Sequence, residues 1–337
     1  MRIGNVFLWK SQLIKIAIIG FGDIAKNEHL PAIQNSSEFS LVAVVETNQS
    51  RHGEISNLVS CSVVKTMTDA VNLGAECVIL STPPEITELL IREAIELNLH
   101  ILCEKPIGIQ FDSLQDLPNL AAGSLSKIQV GFTNRYAPFV QELKAIIESG
   151  ELGSPLVFMM AAFDEPFNEL DKDHLSRIMH FLEHGPAFTH EGSHLIDYLS
   201  YFGFQNPLHV SAFGVKTDSR FPTDNFTEAT LSFEDGSIAR LEVGWFTPSL
   251  PTGHIKVIGS GGRVEIIRRE GSMLIETKNR SETLLLEDSW NTTAFRNQLA
   301  GFAQLINTGQ ITGATLEDGL YNVKMTQLIE TKSRVNT

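Results

Sequence analysis

Two histidines stand four residues apart in the segment "THEGSH", at His190 and His194, with Glu191 directly after the first. An imidazole titrates near neutral pH, so either histidine is suited to proton transfer. On a helix, the pattern His-Glu-x-x-His also places two imidazoles on one face, where they can bind zinc while the glutamate acts as a general base. The same short segment therefore suits metal chemistry or acid–base chemistry.

The rest of the sequence argues against a zinc peptidase. Such a site needs a third protein ligand, yet no glutamate follows the motif until Glu228. Gly192, inside the motif, also disfavours a helix. We therefore predict that the protein holds no metal. One alternative stays open, because His180 and His184 form a second pair at the same spacing, and the four histidines together could bind an ion.

A glycine-rich turn is the second candidate site. In "IAIIGFGDIA", Gly20 and Gly22 follow a strand-like run and precede a helix-like one, with Asp23, Ile24 and the small Ala25 next. Gly20 permits the tight turn, Gly22 lets the backbone approach a pyrophosphate, and Ala25 lets the helix pack closely. The free N–H groups at the start of the helix then face the anion. The turn, including Asp23 and Ile24, is predicted to bind a dinucleotide.

An acidic residue at the end of the next strand-like run indicates which dinucleotide. Glu46 closes "LVAVVE" and lies where a carboxylate accepts hydrogen bonds from the adenosine ribose hydroxyls. Because a carboxylate repels a 2′-phosphate, we expect the cofactor to be NAD. Arg51, a turn away, leaves NADP as the weaker alternative.

The order of the apolar runs predicts the elements that position these residues. As far as residue 131, short runs such as "IKIAII" and "CVILS" alternate with helix-like stretches, which is typical of a parallel sheet covered on both faces. Longer strands follow, with hairpin signals at Asp235-Gly236 and Glu270-Gly271. We expect an α/β protein with a doubly wound Rossmann domain at 1–131. An α+β domain with a large, mostly antiparallel, open-faced sheet should occupy 132–337.

Composition excludes several classes of partner. The 337 residues carry a formal net charge of −14 at pH 7 and only three cysteines. This charge repels nucleic acid and anionic lipid. The small number of cysteines predicts a protein of the reducing cytoplasm that has no disulfide framework. No apolar run approaches the roughly 18 residues of a membrane-spanning helix, and the start shows no cleavable leader. We expect a cytoplasmic protein with neither a nucleic acid nor a membrane as its partner.

A third motif, "CEKPIG" from Cys103 to Gly108, stands at the end of the run "HILCE". Together with the glycine turn, "STPP" at 81–84 and "GSHLIDYL" from Gly192, it resembles the glucose-fructose oxidoreductase and inositol 2-dehydrogenase family over nearly the whole chain. The resemblance implies an N-terminal domain that binds NAD(P). It also implies a C-terminal domain that supplies the substrate pocket and an open sheet face for oligomerisation.

The resemblance implies roles for the residues around the cofactor. Lys105 would lie near the nicotinamide and hydrogen-bond the substrate hydroxyl, next to a proline, Pro106, whose preceding peptide bond is often cis in relatives. A surface ion pair between Lys105 and Glu104 is the alternative role for this lysine. The further residues that the resemblance places at the cofactor are Ser81, Thr82, Pro83 and Glu104.

The same comparison implies roles in the second half of the chain. His194 takes the place of the family's catalytic histidine. His190 stands where the family has an aspartate, and we expect it to hydrogen-bond His194 in the aspartate's stead. Arg135 and Tyr136 match a position that borders the substrate pocket, with packing at the domain junction as an equal alternative.

These residues together predict an NAD(P)-dependent dehydrogenase. His194 would take the proton of a substrate hydroxyl while hydride passes from carbon to the nicotinamide, with Lys105 positioning the oxygen. The expected substrate is small and carbohydrate-like: a sugar, a sugar acid or a cyclitol. The competing hypothesis is a non-catalytic NAD(P)-binding regulatory or partner protein of the same family.

The strands of the second half also predict association. The runs "EATLSFE" and "IARLEVGWF" are interpreted as apolar on both faces, so a monomer would expose one apolar face to water. We expect a homodimer or homotetramer that assembles through this sheet.

Overall fold

The computed structural model describes residues 13–164, 172–245 and 253–335. The strands of its first sheet are β1 (Ile14–Ile19), β2 (Phe39–Val45), β3 (Ser62–Val64), β4 (Cys77–Leu80), β5 (His100–Glu104) and β6 (Ile128–Gly131). Their spatial order is β3-β2-β1-β4-β5-β6 and all pairs are parallel. The predicted doubly wound sheet is confirmed.

Helices cover both faces of this sheet, as near-continuous apolar strands require. Along β1, Ile16 and Ile18 belong to one buried layer, whereas Ala17 and Ile19 belong to the other. The pattern of apolar runs misses β3, since it has only three residues and none of them is buried. The helices here are a π-helical turn (Ala25–His29), α1 (Leu30–Gln34), α2 (His52–Ser56), α3 (Met67–Asn72), α4 (Pro84–Glu96), α5 (Phe111–Leu114) and α6 (Leu117–Ala122).

The second sheet follows in the chain and is mostly antiparallel. Its strands are β7 (Val157–Asp164), β8 (His209–Val215), β9 (Phe226–Ser232), β10 (Ile238–Trp245), β11 (Gly253–Gly259), β12 (Gly262–Ile267), β13 (Ser272–Thr277) and β14 (Ser281–Leu285). Their order is β14-β13-β12-β11-β7-β10-β9-β8, with β7 parallel to β10 and the other neighbours antiparallel. The turns at Asp235-Gly236 and Glu270-Gly271 join antiparallel neighbours as predicted.

Five further helices follow, of which the first three belong to the core of the second sheet, the fourth packs mainly on the first sheet, and the fifth reaches both. They are α7 (Pro138–Glu148), α8 (Lys172–His184), α9 (Ala187–Tyr201), α10 (Trp290–Thr308) and α11 (Leu316–Val335). Phe295 and Phe302 of α10 join the core on one face of the first sheet, and Leu320 and Val323 of α11 join the core on the other. The last helices of the described chain therefore complete the packing of its first sheet.

The outer face of the second sheet is more polar than the sequence analysis predicts. Along β10, Ala239 and Leu241 are buried while Arg240 between them is exposed, so this strand is apolar on one face only. Arg240 forms ion pairs with Glu228 at 3.2 Å and Glu242 at 2.9 Å across the outer face. The interpretation of β9 and β10 as apolar on both faces is therefore wrong.

The helix α9 corrects a second expectation. Gly192 does not interrupt this helix, which continues from Ala187 to Tyr201. A Cβ at this position would lie 2.5 Å from Cδ1 of Phe188, so the glycine makes room for an aromatic ring on the preceding turn.

Among the described helices, none combines the length and the apolar character that crossing a bilayer requires.

Candidate active site

The predicted cofactor residues meet at one edge of the first sheet. Gly20 follows β1, Glu46 follows β2, Ser81 follows β4, and Lys105 follows β5. Because these strands are parallel, all four residues lie at their carboxyl ends, where open α/β sheets bind ligands. The same edge therefore brings together the glycine turn, the acidic residue and the lysine.

The glycine turn has the shape that a dinucleotide needs. Gly20 has a φ of +81°, and a Cβ there would lie 2.6 Å from the carbonyl oxygen of Ser81 and 2.7 Å from Cγ2 of Thr82. Only glycine fits this conformation and this contact. A Cβ on Gly22, by contrast, would meet no atom within 4 Å. The backbone at Gly22 thus borders open space, as the approach of a pyrophosphate requires, and exposed Asp23 and Ile24 follow it.

Glu46 is held by a cation and by backbone. Its side chain accepts a hydrogen bond from Nη1 of Arg51 at 2.5 Å and another from the backbone N–H of Asn48 at 3.0 Å. Arg51 also donates from Nη2 to the carbonyl oxygen of Phe21 in the glycine turn, at 2.6 Å. The pair therefore ties the loop after β2 to the turn after β1. It places both an anion and a cation at the predicted ribose position.

Lys105 points toward α9. The peptide bond between Lys105 and Pro106 is cis, as the family resemblance implies. Nζ of Lys105 donates to the backbone carbonyl oxygen of His190 at 3.2 Å and lies 3.8 Å from Oε1 of Glu191. Glu104, the alternative partner, is instead paired with His29 at 2.8 Å. The lysine charge is thus directed into the space between the two halves of the chain.

His194 lies in the same space as a neutral imidazole. Burial, followed by the nearby charge of Lys105, lowers the pKa of His194 to about 3. Its Nδ1 lies 3.2 Å from Nδ2 of Asn134, so Nδ1 is occupied and Nε2 is the nitrogen left for a substrate. In this contact Nδ2–H of Asn134 donates to Nδ1, which puts the proton of the neutral imidazole on Nε2. With the amide turned over, its oxygen would accept from Nδ1–H, and Nε2 would be free to act as a base.

Glu191 is a further candidate residue of the site. The prediction of a dehydrogenase gave it no role in proton chemistry. The charge of Lys105 lowers the pKa of the Glu191 carboxyl against the opposing effect of burial. The Glu191 carboxylate in turn counteracts the lowering of the His194 pKa. Because Glu191 and His194 are three residues apart on α9, they share one face of the helix. This spacing is the signal in the sequence that could have indicated the pairing.

His190 turns away from His194. Its Nε2 lies 3.0 Å from the carbonyl oxygen of Phe181, and its ring stacks 5.9 Å from that of Trp245. Burial is the main reason that the pKa of His190 falls to about 4. The expected hydrogen bond between His190 and His194 is not found among the described contacts, where Asn134 occupies that place. The contribution of His190 to the site is its backbone carbonyl, which holds Lys105.

Arg135 and Tyr136 lie at the domain junction. Arg135 donates from Nε and Nη2 to Asp197 of α9 at 2.9 and 2.6 Å, and from Nη1 to Asp318 of α11 at 3.2 Å. The hydroxyl of Tyr136 lies so close to Gly313 that a Cβ there would be 2.4 Å away. Neither residue lines the cavity beside His194. The structure therefore favours the packing role over the pocket role.

A cavity of about 210 Å³ opens beside the face of α9 that carries Glu191 and His194. Further polar groups around it come from Tyr198 of α9, His254 of β11 and Arg268 after β12. Arg268 packs over the ring of Trp290 at 5.0 Å and forms no ion pair with another described residue. The cavity thus combines hydrogen-bonding groups with a guanidinium that has no ion-pair partner among the described residues.

Comparison with known proteins defines the class of this chain. A family model described as "Oxidoreductase family, NAD-binding Rossmann fold" matches residues 14–132, and a model of the GFO/IDH/MocA C-terminal domain matches residues 140–265. The fold and the glycine turn are thus those of an oxidoreductase with an NAD-binding Rossmann domain. The chain belongs to the GFO/IDH/MocA family, which confirms the resemblance inferred from "CEKPIG" and the glycine turn.

Individual relatives agree with this assignment. The inositol 2-dehydrogenase of Mycolicibacterium smegmatis is 31% identical over 148 residues, a match that covers 43% of each protein. The crystal structure of myo-inositol 2-dehydrogenase from Lactobacillus plantarum has a TM-score of 0.83 at 18% identity and covers 97% of this chain and 98% of its own. The WlbA dehydrogenase of Bordetella pertussis, in complex with NADH and UDP-GlcNAcA, has a TM-score of 0.80 at 19% identity, with coverage of 97% and 98%. The two solved structures share the fold along nearly the whole chain.

Proposed function

We propose that the protein is an NAD-dependent dehydrogenase that oxidises the hydroxyl group of a small, carbohydrate-like substrate. The observation that carries the proposal is the convergence of Lys105, Glu191 and neutral His194 next to a cavity at the edge of an NAD-binding Rossmann sheet. A bound nicotinamide would supply the hydride acceptor.

Four groups of the site have separate roles in the proposed reaction. Nε2 of His194 takes the hydroxyl proton when the Asn134 amide turns its oxygen toward Nδ1–H, because the neutral imidazole then carries no proton on Nε2. Nζ of Lys105 donates a hydrogen bond to the substrate oxygen, on which negative charge develops as the proton leaves. Glu191 faces the lysine at 3.8 Å and forms an ion pair with its ammonium group. The carbonyl oxygen of His190 fixes the direction of Nζ.

Charge in the cavity favours a substrate with an acidic group. Among the residues that the structure describes, Arg268 and one carboxylate, Glu191, line the cavity, and Lys105 lies 3.8 Å from that carboxylate. A guanidinium such as that of Arg268, with no ion-pair partner in the described part of the chain, is suited to bidentate recognition of a carboxylate. The uronic acid group in the WlbA complex is consistent with this chemistry in the family. A sugar acid therefore fits the cavity better than a neutral sugar.

A substrate screen tests the proposed activity. The purified protein is first tested for NAD binding by calorimetry and then incubated with NAD and panels of cyclitols, neutral sugars and sugar acids, while the absorbance of reduced nicotinamide is followed. We expect turnover with at least one sugar acid. Binding of NAD without turnover on any panel would instead support the non-catalytic regulatory hypothesis.

Glu46 should set the choice between the two nicotinamide cofactors. Intact protein should bind NAD about tenfold more tightly than NADP, because the carboxylate repels the 2′-phosphate, a difference of about 1.4 kcal/mol. Glu46→Ser should narrow this gap, and it frees Arg51 to approach the phosphate. Calorimetry with both cofactors measures the effect, and Glu54→Ser, at an exposed acidic position of α2, is the matched control. Equal affinities in the intact protein would show that Glu46 does not face the ribose.

We propose further that the protein forms a dimer or tetramer through the outer face of the second sheet. Despite its ion pairs, that face exposes apolar side chains, including Phe213 (54% exposed) and Val215 (46% exposed) of β8. Light scattering at micromolar concentration should give a mass of at least two chains. Phe213→Asp should lower this mass, because it places a charge in the interface. A monomer before substitution contradicts the proposal.

A further inference from the structure

Three side chains of metal-binding type meet where α8 crosses the start of α4. Nδ1 of His184 lies 3.1 Å from Oε1 of Glu85, and Nε2 of His180 lies 3.6 Å from the same oxygen. One potential ligand atom from each of the three residues lies within 4.8 Å of the other two. The cluster is separate from the cavity beside His194, and the proposed reaction uses none of its members.

The spacing suits a tetrahedral metal. Zinc binds nitrogen and oxygen at about 2.0–2.2 Å, which sets neighbouring ligand atoms about 3.3–3.5 Å apart. The two distances from Glu85, 3.1 and 3.6 Å, lie on either side of this separation. His180 and His184 are one turn apart on α8, with ring centroids separated by 4.6 Å, so both rings project from one face of the helix.

The carboxylate lacks any other counterpart. Both side-chain oxygens of Glu85 are shielded from solvent and have no hydrogen-bond partner within the part of the chain that the structure describes. Nδ1 of His184 also donates to the backbone carbonyl oxygen of His180 at 2.9 Å, so a metal ion at this atom would take the place of its proton. Shielding a carboxylate without donors is unfavourable, and a cation between the carboxylate and the two imidazoles removes this cost.

We propose that Glu85, His180 and His184 form a binding site for a divalent transition-metal ion of the zinc type. Two imidazoles and a carboxylate are a ligand set that zinc uses, and they leave the fourth position to water. The site departs from our sequence-based prediction of no metal. Of the four histidines considered there, His180 and His184 take part, whereas His190 and His194 do not.

The position of α8 gives the ion a structural consequence. Arg177 of the same helix pairs with Asp23 in the glycine turn at 3.2 Å. The helix therefore contacts the cofactor edge of the first sheet at two points, one at the turn and one at Glu85. A metal at the second point would link α8 to α4 by bonds to both helices. It would hold α8 beside the glycine turn, at the cofactor edge of the first sheet.

Metal titrations of the full chain test the proposal. After treatment with a chelator and its removal, Zn²⁺ is titrated by calorimetry, and Co²⁺ is titrated by following its visible d–d bands, which report a tetrahedral site. We expect one ion per chain in the intact protein. Glu85→Gln and His180→Gln should each weaken binding by about 100-fold or more, because even outer-shell changes can cost that much. His209→Gln, at an exposed position of β8, should leave it unchanged.

Amide hydrogen exchange tests whether the bound metal links α8 to α4. Zn²⁺ should slow amide exchange in α8 of the intact protein and have no such effect in His180→Gln. If Zn²⁺ fails to bind, or binds equally well to Glu85→Gln and His180→Gln, the three residues form an ion-paired cluster and the proposal is overturned. Binding without slower exchange in α8 would overturn the link between the two helices.

Discussion

Lys105→Met is expected to reduce turnover by about 100- to 10,000-fold, the range associated with losing a donor to a developing oxyanion or a group that assists proton transfer. Methionine keeps most of the length of the side chain but removes its charge and its N–H groups. NAD affinity should change little, because the glycine turn and Glu46 hold the far end of the cofactor. Initial rates with the substrate found in the screen, and calorimetry with NAD, measure the two effects separately.

The matched control for this lysine lies on the outer face of the second sheet. Lys256 pairs with Glu265 at 3.3 Å, and its neighbours Ile255 and Val257 face the inner core. Its side chain therefore points away from α9, and Lys256→Met should leave turnover unchanged. Equal turnover in Lys105→Met and in the intact enzyme would place the chemistry at another group.

His194→Gln should produce a loss of similar size, about 100- to 10,000-fold in turnover, because glutamine hydrogen-bonds but cannot accept the hydroxyl proton at neutral pH. The matched control is His209→Gln, which changes an imidazole at an exposed position of β8. We expect the control to leave turnover unchanged. A small effect of His194→Gln would exclude His194 as the base.

The pH profile provides an independent check on His194. Its folded-state pKa of about 3 lies below the usual value for histidine, so the base form persists as the pH falls and is lost only in strong acid. With kcat/KM reporting groups of the free enzyme, His194 should cause no acidic limb between about pH 7 and pH 5. Since the charge of Lys105 helps to lower this pKa, the residual activity of Lys105→Met should show an acidic limb at higher pH. An acidic limb near pH 6 that disappears in His194→Gln would contradict the lowered pKa of His194, although not its role as the base.

Both sheets were predictable because their strands have simple periodicity. Runs buried on both faces appear as continuous apolar segments, and alternating runs joined by Asp235-Gly236 indicate hairpins. β3 escaped this reasoning because three half-exposed residues carry no periodic signal. The helix through Gly192 escaped it because intrinsic propensity is weak beside packing, and here the contact with Phe188 decides.

The site was predictable where position along a parallel sheet determines it. Gly20, Glu46 and Lys105 each follow a strand, so topology alone brings them to one edge. The partners of His190 and His194 depend instead on side-chain direction and on Phe181, Trp245 and Asn134, which are distant from them in sequence or on other elements. No spacing rule relates such residues, and Arg135 was left between two roles for the same reason.

The packing of α10 and α11 on the first sheet has a consequence for biosynthesis. Domains at the N-terminus generally fold first as a chain leaves the ribosome. Here the core of the first sheet includes Phe302, whose ring stacks 6.0 Å from that of Phe39, and Leu320. During translation, apolar surface of the first sheet therefore stays uncovered until α10 and α11 have been synthesised. During translation this surface is a natural binding site for chaperones, and ribosomes that stall before α10 would release aggregation-prone chains.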